Sequence, residues 1–214
     1  MVRLRHLRFI PNLLSLLNLT FGFLSILCAI SGDYRKAALL IVGAVVVDAL
    51  DGFIARKLGA DTRFGLELDS LCDFLSFCVS PSVLFYTFYG GNYWFLFVLL
   101  PICGALRLAR FNVTSQKDYF IGLPSPVGGG FLASITLIKN LSGFYAVPLL
   151  VLVSFLMVSG IRYINFKSIF RGVYSKTFLI VVSTILLSFF NIQLVVVPFL
   201  IYVVLCFRLG AASK

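Results

Sequence analysis

The sequence predicts an all-α polytopic membrane bundle of about eight transmembrane helices, preceded by a short interfacial segment. Three observations carry this. Sixty per cent of the 214 residues are hydrophobic and only 12% are charged, a balance found in membrane proteins rather than soluble domains. Apolar runs recur at about the 20-residue length that a helical span requires. The basic residues are segregated to one end of those runs, as the positive-inside rule demands.

The opening segment MVRLRHLRF alternates basic and apolar residues and reads as an interfacial stretch leading into a retained first span. Asn12, Asn18 and Thr20 interrupt the run that follows, and no small-residue cleavage site comes after it, so it is not read as a cleaved signal. Spans are expected at about 11–31, 36–57, 64–89, 92–110, 124–141, 144–160, 176–190 and 192–208. An even number of spans puts both termini on one side. That side collects Arg3, Arg5, Arg8, Arg56, Lys57, Arg63, Arg107, Arg110, Lys117, Arg162, Lys167, Arg171, Lys176, Arg208 and Lys214, leaving Arg35, Lys36 and Lys139 opposite. Fifteen against three marks the N-terminal side as cytoplasmic. The last two spans are nearly pure Val, Leu, Ile and Phe and read as scaffold or a dimer face.

The formal charge of +10 does not point to nucleic acid. The basic residues lie in short inter-span segments, where lipid head groups account for them. Cys28, Cys72, Cys78, Cys103 and Cys206 all fall inside apolar runs, with neither metal-ligand spacing nor the pattern of a disulfide framework.

One stretch breaks the apolar character. Of eight acidic residues in the chain, six lie between Asp48 and Asp73: Asp48, Asp51, Asp61, Glu67, Asp69 and Asp73. A carboxylate inside a span costs roughly 2.5–3.5 kcal/mol, and clustered hard oxygens are best compensated by divalent cations. At about 100° per residue, Asp48, Asp51, Gly52, Ala55 and Gly59 share one helix face with Arg56 at its edge, and Gly65, Asp69, Asp73 and Ser76 share a face on the next helix. A short turn makes these helices antiparallel neighbours, so the faces meet below the cytoplasmic surface. Four carboxylates arranged this way can hold two divalent ions for displacement at phosphorus, and the planar fork of Arg56 suits a phosphate. Glu67 lies on the opposite side of its helix from Asp69 and is left outside the metal site.

The window resembles the signature of the CDP-alcohol phosphotransferase family, D-x2-D-G-x2-A-R-x8-G-x3-D-x3-D, at Asp48, Asp51, Gly52, Ala55, Arg56, Gly65, Asp69 and Asp73. PNLLSLLNLTFGFLSI at 11–26, ELDSLCDFLSF at 67–77, GALRLARFN at 104–112 and GLPSP at 122–126 look like the phosphatidylserine synthases of that family. The resemblance implies a single domain over 1–214, with a catalytic core at about 8–130 and scaffold spans at about 131–208. It implies two divalent cations, Mg²⁺ or Mn²⁺, on Asp48, Asp51, Asp69 and Asp73, with Asp73 also the general base. The CDP-lipid contacts it implies are Asn12, Gly52, Ala55, Arg56, Thr62 and Gly65. The reaction expected is attack by the hydroxyl of L-serine on the β-phosphorus of a CDP-linked lipid, releasing CMP.

Free serine also brings a carboxylate, for which Arg107, Arg110 and Asn112 at the cytoplasmic end of the fourth span are the candidate partners. A homodimer in a prokaryotic plasma membrane, with its site facing the cytoplasm, completes the expectation. Two alternatives stand beside it: a same-family transferase using inositol phosphate or glycerol phosphate, and a divalent-cation transporter, which requires a polar pathway continuing to the far side.

Overall fold

A computed structural model describes residues 9–58, 62–90, 94–114 and 119–164, together with Val196, Val197 and Phe199. The interfacial segment and most of the expected seventh and eighth spans lie outside the described residues. Among the described residues, four helical segments are long and apolar enough to cross a membrane: Phe9–Ile30, Tyr34–Ile54, Arg63–Tyr89 and Trp94–Val113. The protein is thus a multi-pass membrane protein, and its described residues are mainly helical, with one short ribbon.

Helix α1 (Phe9–Ile30) buries a stripe of small and polar residues, Pro11, Ser15, Asn18, Gly22, Ser25 and Ala29, and turns Leu13, Leu16, Leu17, Phe23, Leu24 and Leu27 outward. The usual amphipathic pattern is inverted, because lipid solvates the large apolar side chains while small residues let helices approach. The helix ends where Gly32 takes φ +81°, which lets the Asp33 amide return to the Cys28 carbonyl at 2.9 Å, as glycine stops commonly do. Asp33 then caps α2 (Tyr34–Leu58) by accepting from the Lys36 amide at 3.2 Å and pairs with the Lys36 Nζ at 2.6 Å. Helices α1 and α2 run antiparallel along each other.

Thr62 caps α3 (Arg63–Phe74), its hydroxyl accepting from the Gly65 amide at 3.0 Å. The segment then widens into one π-helical turn, Leu75–Val79, and continues as α4 (Ser80–Tyr89). Pro81 gives a physical reason for the widening. In a regular helix its ring would collide with the carbonyl four residues back, that of Phe77, to which it has no N–H to donate. A π turn relieves that clash. Three helices close around the turn at glycines. A Cβ on Gly129 would stand 2.5 Å from the Phe77 oxygen and 2.7 Å from its Cα, while Gly22 and Gly104 leave the same kind of space for Ser76 and Cys78. Two hydroxyls of this segment reach α1 as well, Ser76 to the Asn18 carbonyl at 2.9 Å and Ser80 to the Gly22 carbonyl at 2.6 Å.

Helix α5 (Trp94–Phe97) leads into α6 (Leu99–Val113). Strand β1 (Tyr119–Ile121) pairs antiparallel with β2 (Arg162–Ile164), Phe120 opposite Tyr163. Between them lie α7 (Ser125–Ile135) and α8 (Gly143–Val158), of 11 and 16 residues. The expected fifth span at 124–141 is therefore shortened. The Ser134 and Thr136 hydroxyls turn back to the Phe131 and Ala133 carbonyls at 2.7 Å, competing with helical pairing, and Asn140 takes φ 61°.

Two apolar clusters stabilise the assembly. One joins α4, α6, α7 and α8 through Phe85, Leu100, Leu132, Leu150 and Met157. The other joins α1, α2, the π turn and α7 through Ala37, Ala38, Ile41, Ala44, Phe77 and Ala133. Overpacking such a contact costs about 1–3 kcal/mol. Gly129→Val should therefore lower the thermal midpoint of the purified protein, because the added methyls meet backbone at Phe77. Gly160→Ala, where a Cβ meets nothing within 4 Å, should leave it unchanged. Fluorescence-detected melting of both variants in detergent checks the pair.

Candidate active site

The acid-bearing ends of α2 and α3 meet against α1. Ligand oxygens of Asp48, Asp69 and Asp73 lie within 4.8 Å of one another. Asp48 and Asp69 are half-buried and Asp73 is buried. The fourth aspartate stands to one side. Asp51 is buried and accepts a 2.6 Å hydrogen bond from the Ser15 hydroxyl, while its charge still acts on Asp69. Three of the four expected ligands are thus brought together, and the fourth is next to them with a partner of its own.

Helix α1 holds the cluster from one flank. Asn18 is fully buried, and its Nδ2 donates to Asp73 Oδ1 at 3.1 Å. Ser15 and Asn18 are unassigned by sequence reasoning, which registers Asn18 only as a break in an apolar run. The signal that finds them is spacing: Pro11, Ser15, Asn18, Gly22 and Ser25 follow one heptad-like stripe, and two of its members carry hydrogen-bonding side chains level with the acids.

Nearer the helix ends, Asn12, Thr62 and Gly65 come together. A Cβ on Gly65 would meet Asn12 Oδ1 and Thr62 Oγ1, each at 3.0 Å, so the missing side chain lets these two polar groups close on the first turn of α3. Gly52 is half-buried on α2, one residue beyond Asp51. Ala55 and Arg56 lie one turn further along the same helix, but their side chains are outside the described residues.

The three candidates from α6 are separated by the fold. Arg107 is 6% exposed; its Nη1 lies 3.0 Å from the Ser125 hydroxyl, to which it donates, and its charge reaches Asp73. Arg110 turns elsewhere, donating to the Val158, Ile121 and Ser159 carbonyls at 3.1, 3.2 and 3.3 Å. It fastens the end of α8 and the ribbon to α6. Asn112 donates to Glu67 at 3.0 Å and accepts from Ser70 at 3.1 Å, tying α6 to α3 near the mouth.

A phosphate-rich substrate suits this arrangement, with hard anionic oxygens on one side and a buried guanidinium on the other. The match to known proteins agrees. A family model described as CDP-alcohol phosphatidyltransferase covers residues 8–209. The chain belongs to the CDP-alcohol phosphatidyltransferase family. It is 41% identical over 161 residues to the archaetidylserine synthase of Methanothermobacter thermautotrophicus, covering 72% of this chain and 69% of the relative. The CDP-diacylglycerol–serine O-phosphatidyltransferase of Helicobacter pylori is 36% identical over 173 residues, covering 74% and 73% of the two chains. That of Methanocaldococcus jannaschii is 37% identical over 164 residues, covering 76% and 77%.

For a CDP-alcohol phosphatidyltransferase, the donor set fits hard divalent cations: carboxylate oxygens only, converging at partial burial, with no thiol or imidazole among them. Binding to the folded state stabilises by mass action. Mg²⁺ or Mn²⁺ should raise the melting temperature of the purified protein by several degrees. Asp69→Asn should abolish the rise, and Asp33→Asn at the opposite end of the bundle should keep it. Melting curves across a cation titration test this.

Proposed function

We propose that this protein transfers a phosphatidyl-type group from a CDP-linked lipid, CDP-diacylglycerol or CDP-archaeol, to the hydroxyl of L-serine, releasing CMP. The observation that carries the reading is the convergence of Asp48, Asp69 and Asp73 within 4.8 Å, with buried Arg107 in electrostatic reach of Asp73. The names of the relatives given above, an archaetidylserine synthase and two CDP-diacylglycerol–serine O-phosphatidyltransferases, agree with it.

The two substrates approach from different places. Asn12, Thr62 and Gly65, which meet between α1 and α3, contact the nucleotide end of the lipid, and the motif residues Gly52, Ala55 and Arg56 contact its diphosphate. Gly65 and Gly52 let the diphosphate come close to backbone. The acyl or isoprenoid tails remain in the bilayer, while the cytidine and serine enter from the cytoplasm, the side the basic residues mark. When bound, two divalent cations, Mg²⁺ or Mn²⁺, on the aspartates supply positive charge to the diphosphate and to the departing CMP.

Serine is held by its carboxylate. Arg107 is its partner, a choice supported by the commitment of Arg110 to backbone carbonyls. Ser125, already in contact with Arg107, adds a hydroxyl to the same seat. Asn112 and Glu67 stand at the mouth, where the carboxylate of Glu67 suits the ammonium group. Asp73 accepts the serine hydroxyl proton as the oxygen attacks the β-phosphorus; the phosphorus–oxygen bond to CMP breaks and CMP leaves with the electron pair. A general base of this kind contributes typically ~10²–10⁴-fold, and positioning and electrostatics supply most of the rest.

Inositol phosphate and glycerol phosphate each carry a phosphate and call for a larger cationic pocket than one buried arginine and a hydroxyl. Purified protein with CDP-lipid, Mn²⁺ and a panel of alcohols should release CMP with serine alone, and equal release with a phosphorylated acceptor would overturn the serine assignment. Asp73→Asn should lose turnover by two orders of magnitude or more while keeping CDP-lipid binding. Arg107→Gln should raise the serine KM at least tenfold with the CDP-lipid KM nearly constant; equal changes in both would remove Arg107 from the acceptor seat.

A further inference from the structure

Asn18 is an expensive residue at its position. It lies in the middle of an apolar membrane-spanning helix with no exposed surface, and its Oδ1 is buried without a hydrogen-bond partner among the described residues. An unsatisfied buried acceptor costs about 1–3 kcal/mol, so packing alone gives no reason for an amide here. What it contributes is one directed donor, Nδ2 to Asp73 Oδ1 at 3.1 Å.

The surroundings hold that donor still. The Asn18 main-chain oxygen accepts from the Ser76 hydroxyl at 2.9 Å, three residues beyond Asp73 on the neighbouring segment. The Ser80 hydroxyl grips the Gly22 carbonyl one turn along α1 at 2.6 Å. Gly22 has no side chain to keep the π turn away. Asn18 and Asp73 are thus held at both ends, the amide by α1's contacts with the π turn and the carboxylate by the amide.

We propose that Asn18 is the positioning residue of the transfer reaction: by binding one carboxylate oxygen of Asp73, it turns the other toward the acid cluster and the acceptor hydroxyl. An amide suits this task better than a hydroxyl or a carboxyl. It cannot take the acceptor's proton itself, and its reach from α1 spans the gap that serine would leave. The inference rests on the reading of Asp73 as the base of a CDP-alcohol phosphatidyltransferase.

The test uses the full-length protein in lipid nanodiscs, with CMP release measured as a function of CDP-lipid and serine concentration. Asn18→Leu, close in size and without a donor, should lower kcat at least tenfold while both KM values stay within about threefold. The cation-dependent melting shift should persist. The solvent deuterium isotope effect on kcat should also rise, because proton transfer from serine becomes slower; a residue that merely fills space would not move it. Asn18→Ser, which keeps a donor at shorter reach, should fall between wild type and Asn18→Leu, and it decides the matter if the leucine variant does not fold.

Unchanged kcat in a folded variant would overturn the proposal. So would a rise in one KM at constant kcat, which would make Asn18 a substrate contact. Asp73→Asn separates the two layers: if that variant is inactive while Asn18 variants turn over normally, only the positioning role fails. If Asp73→Asn is fully active, the base assignment falls first.

Discussion

Everything in this fold follows from the need to keep several carboxylates together at the edge of a hydrocarbon layer. Isolated ionised groups there are costly, so each must be met by a donor, a cation or the other side of a cleft. Two of those donors come from α1. Ser15 holds Asp51 and Asn18 holds Asp73. Ser15 and Asn18 of the buried stripe are polar for this reason, while Gly22 and Ala29 in the same stripe let neighbouring helices approach. Removing one partner from a buried, hydrogen-bonded charge leaves the other uncompensated, which costs far more than the bond itself contributes. The first helix is thus half of the site, although it carries no acid.

The π-helical turn is the second constraint. Upstream of it α3 carries Asp69 and Asp73; downstream α4 carries buried Leu84 and Phe85. Widening the helix at Leu75–Val79 changes the phase between these halves, so the acid face and the core face need not share one continuous stripe. Pro81 makes a regular helix unfavourable at this place, and Gly22, Gly104 and Gly129 allow three neighbouring helices to close around the wider turn. The backbone irregularity is packed by protein on these sides, as non-helical geometry at membrane depth must be.

How much of this was legible in the chain depends on the kind of information involved. The regular spacing of Asp48, Asp51, Asp69 and Asp73 and the shortness of the intervening turn were enough to place two acid faces opposite each other, because 3.6-residue periodicity is local. Asp51's turn toward Ser15 was not legible, since it depends on how α1 sits against α2. The same holds for Arg107 and Arg110. They are three residues apart on one helix and read alike in sequence, yet one faces Ser125 and the other three backbone carbonyls. Arg110's partners come from residues 121, 158 and 159, whose proximity is purely tertiary. The shortening of the fifth apolar run at Ile135 had a local cause in Ser134 and Thr136, but hydropathy alone does not register hydroxyls that bond to their own helix.

The same packing bears on the choice between an enzyme and an ion pathway. A conduit for divalent cations must continue past the acids toward the opposite face of the membrane, and it must offer oxygen ligands on the way. Beyond the cluster, the described residues present the reverse. Ala37, Ala38, Ile41, Ala44, Phe77 and Leu84 are fully buried and close the space between α1, α2, α4 and α7. Ser25 and Ser80 tie helices together there, Ser25 donating to the Ala37 carbonyl at 2.9 Å and Ser80 to the Gly22 carbonyl, and among the described residues neither has a second oxygen ligand beside it in the apolar cluster. A cation leaving the aspartates in that direction would exchange carboxylate oxygens for methyl groups. On the other flank stands a buried cation, Arg107, which donates to Ser125 and acts electrostatically on Asp73, as suits a site for an anionic diphosphate and not a through-going path for cations.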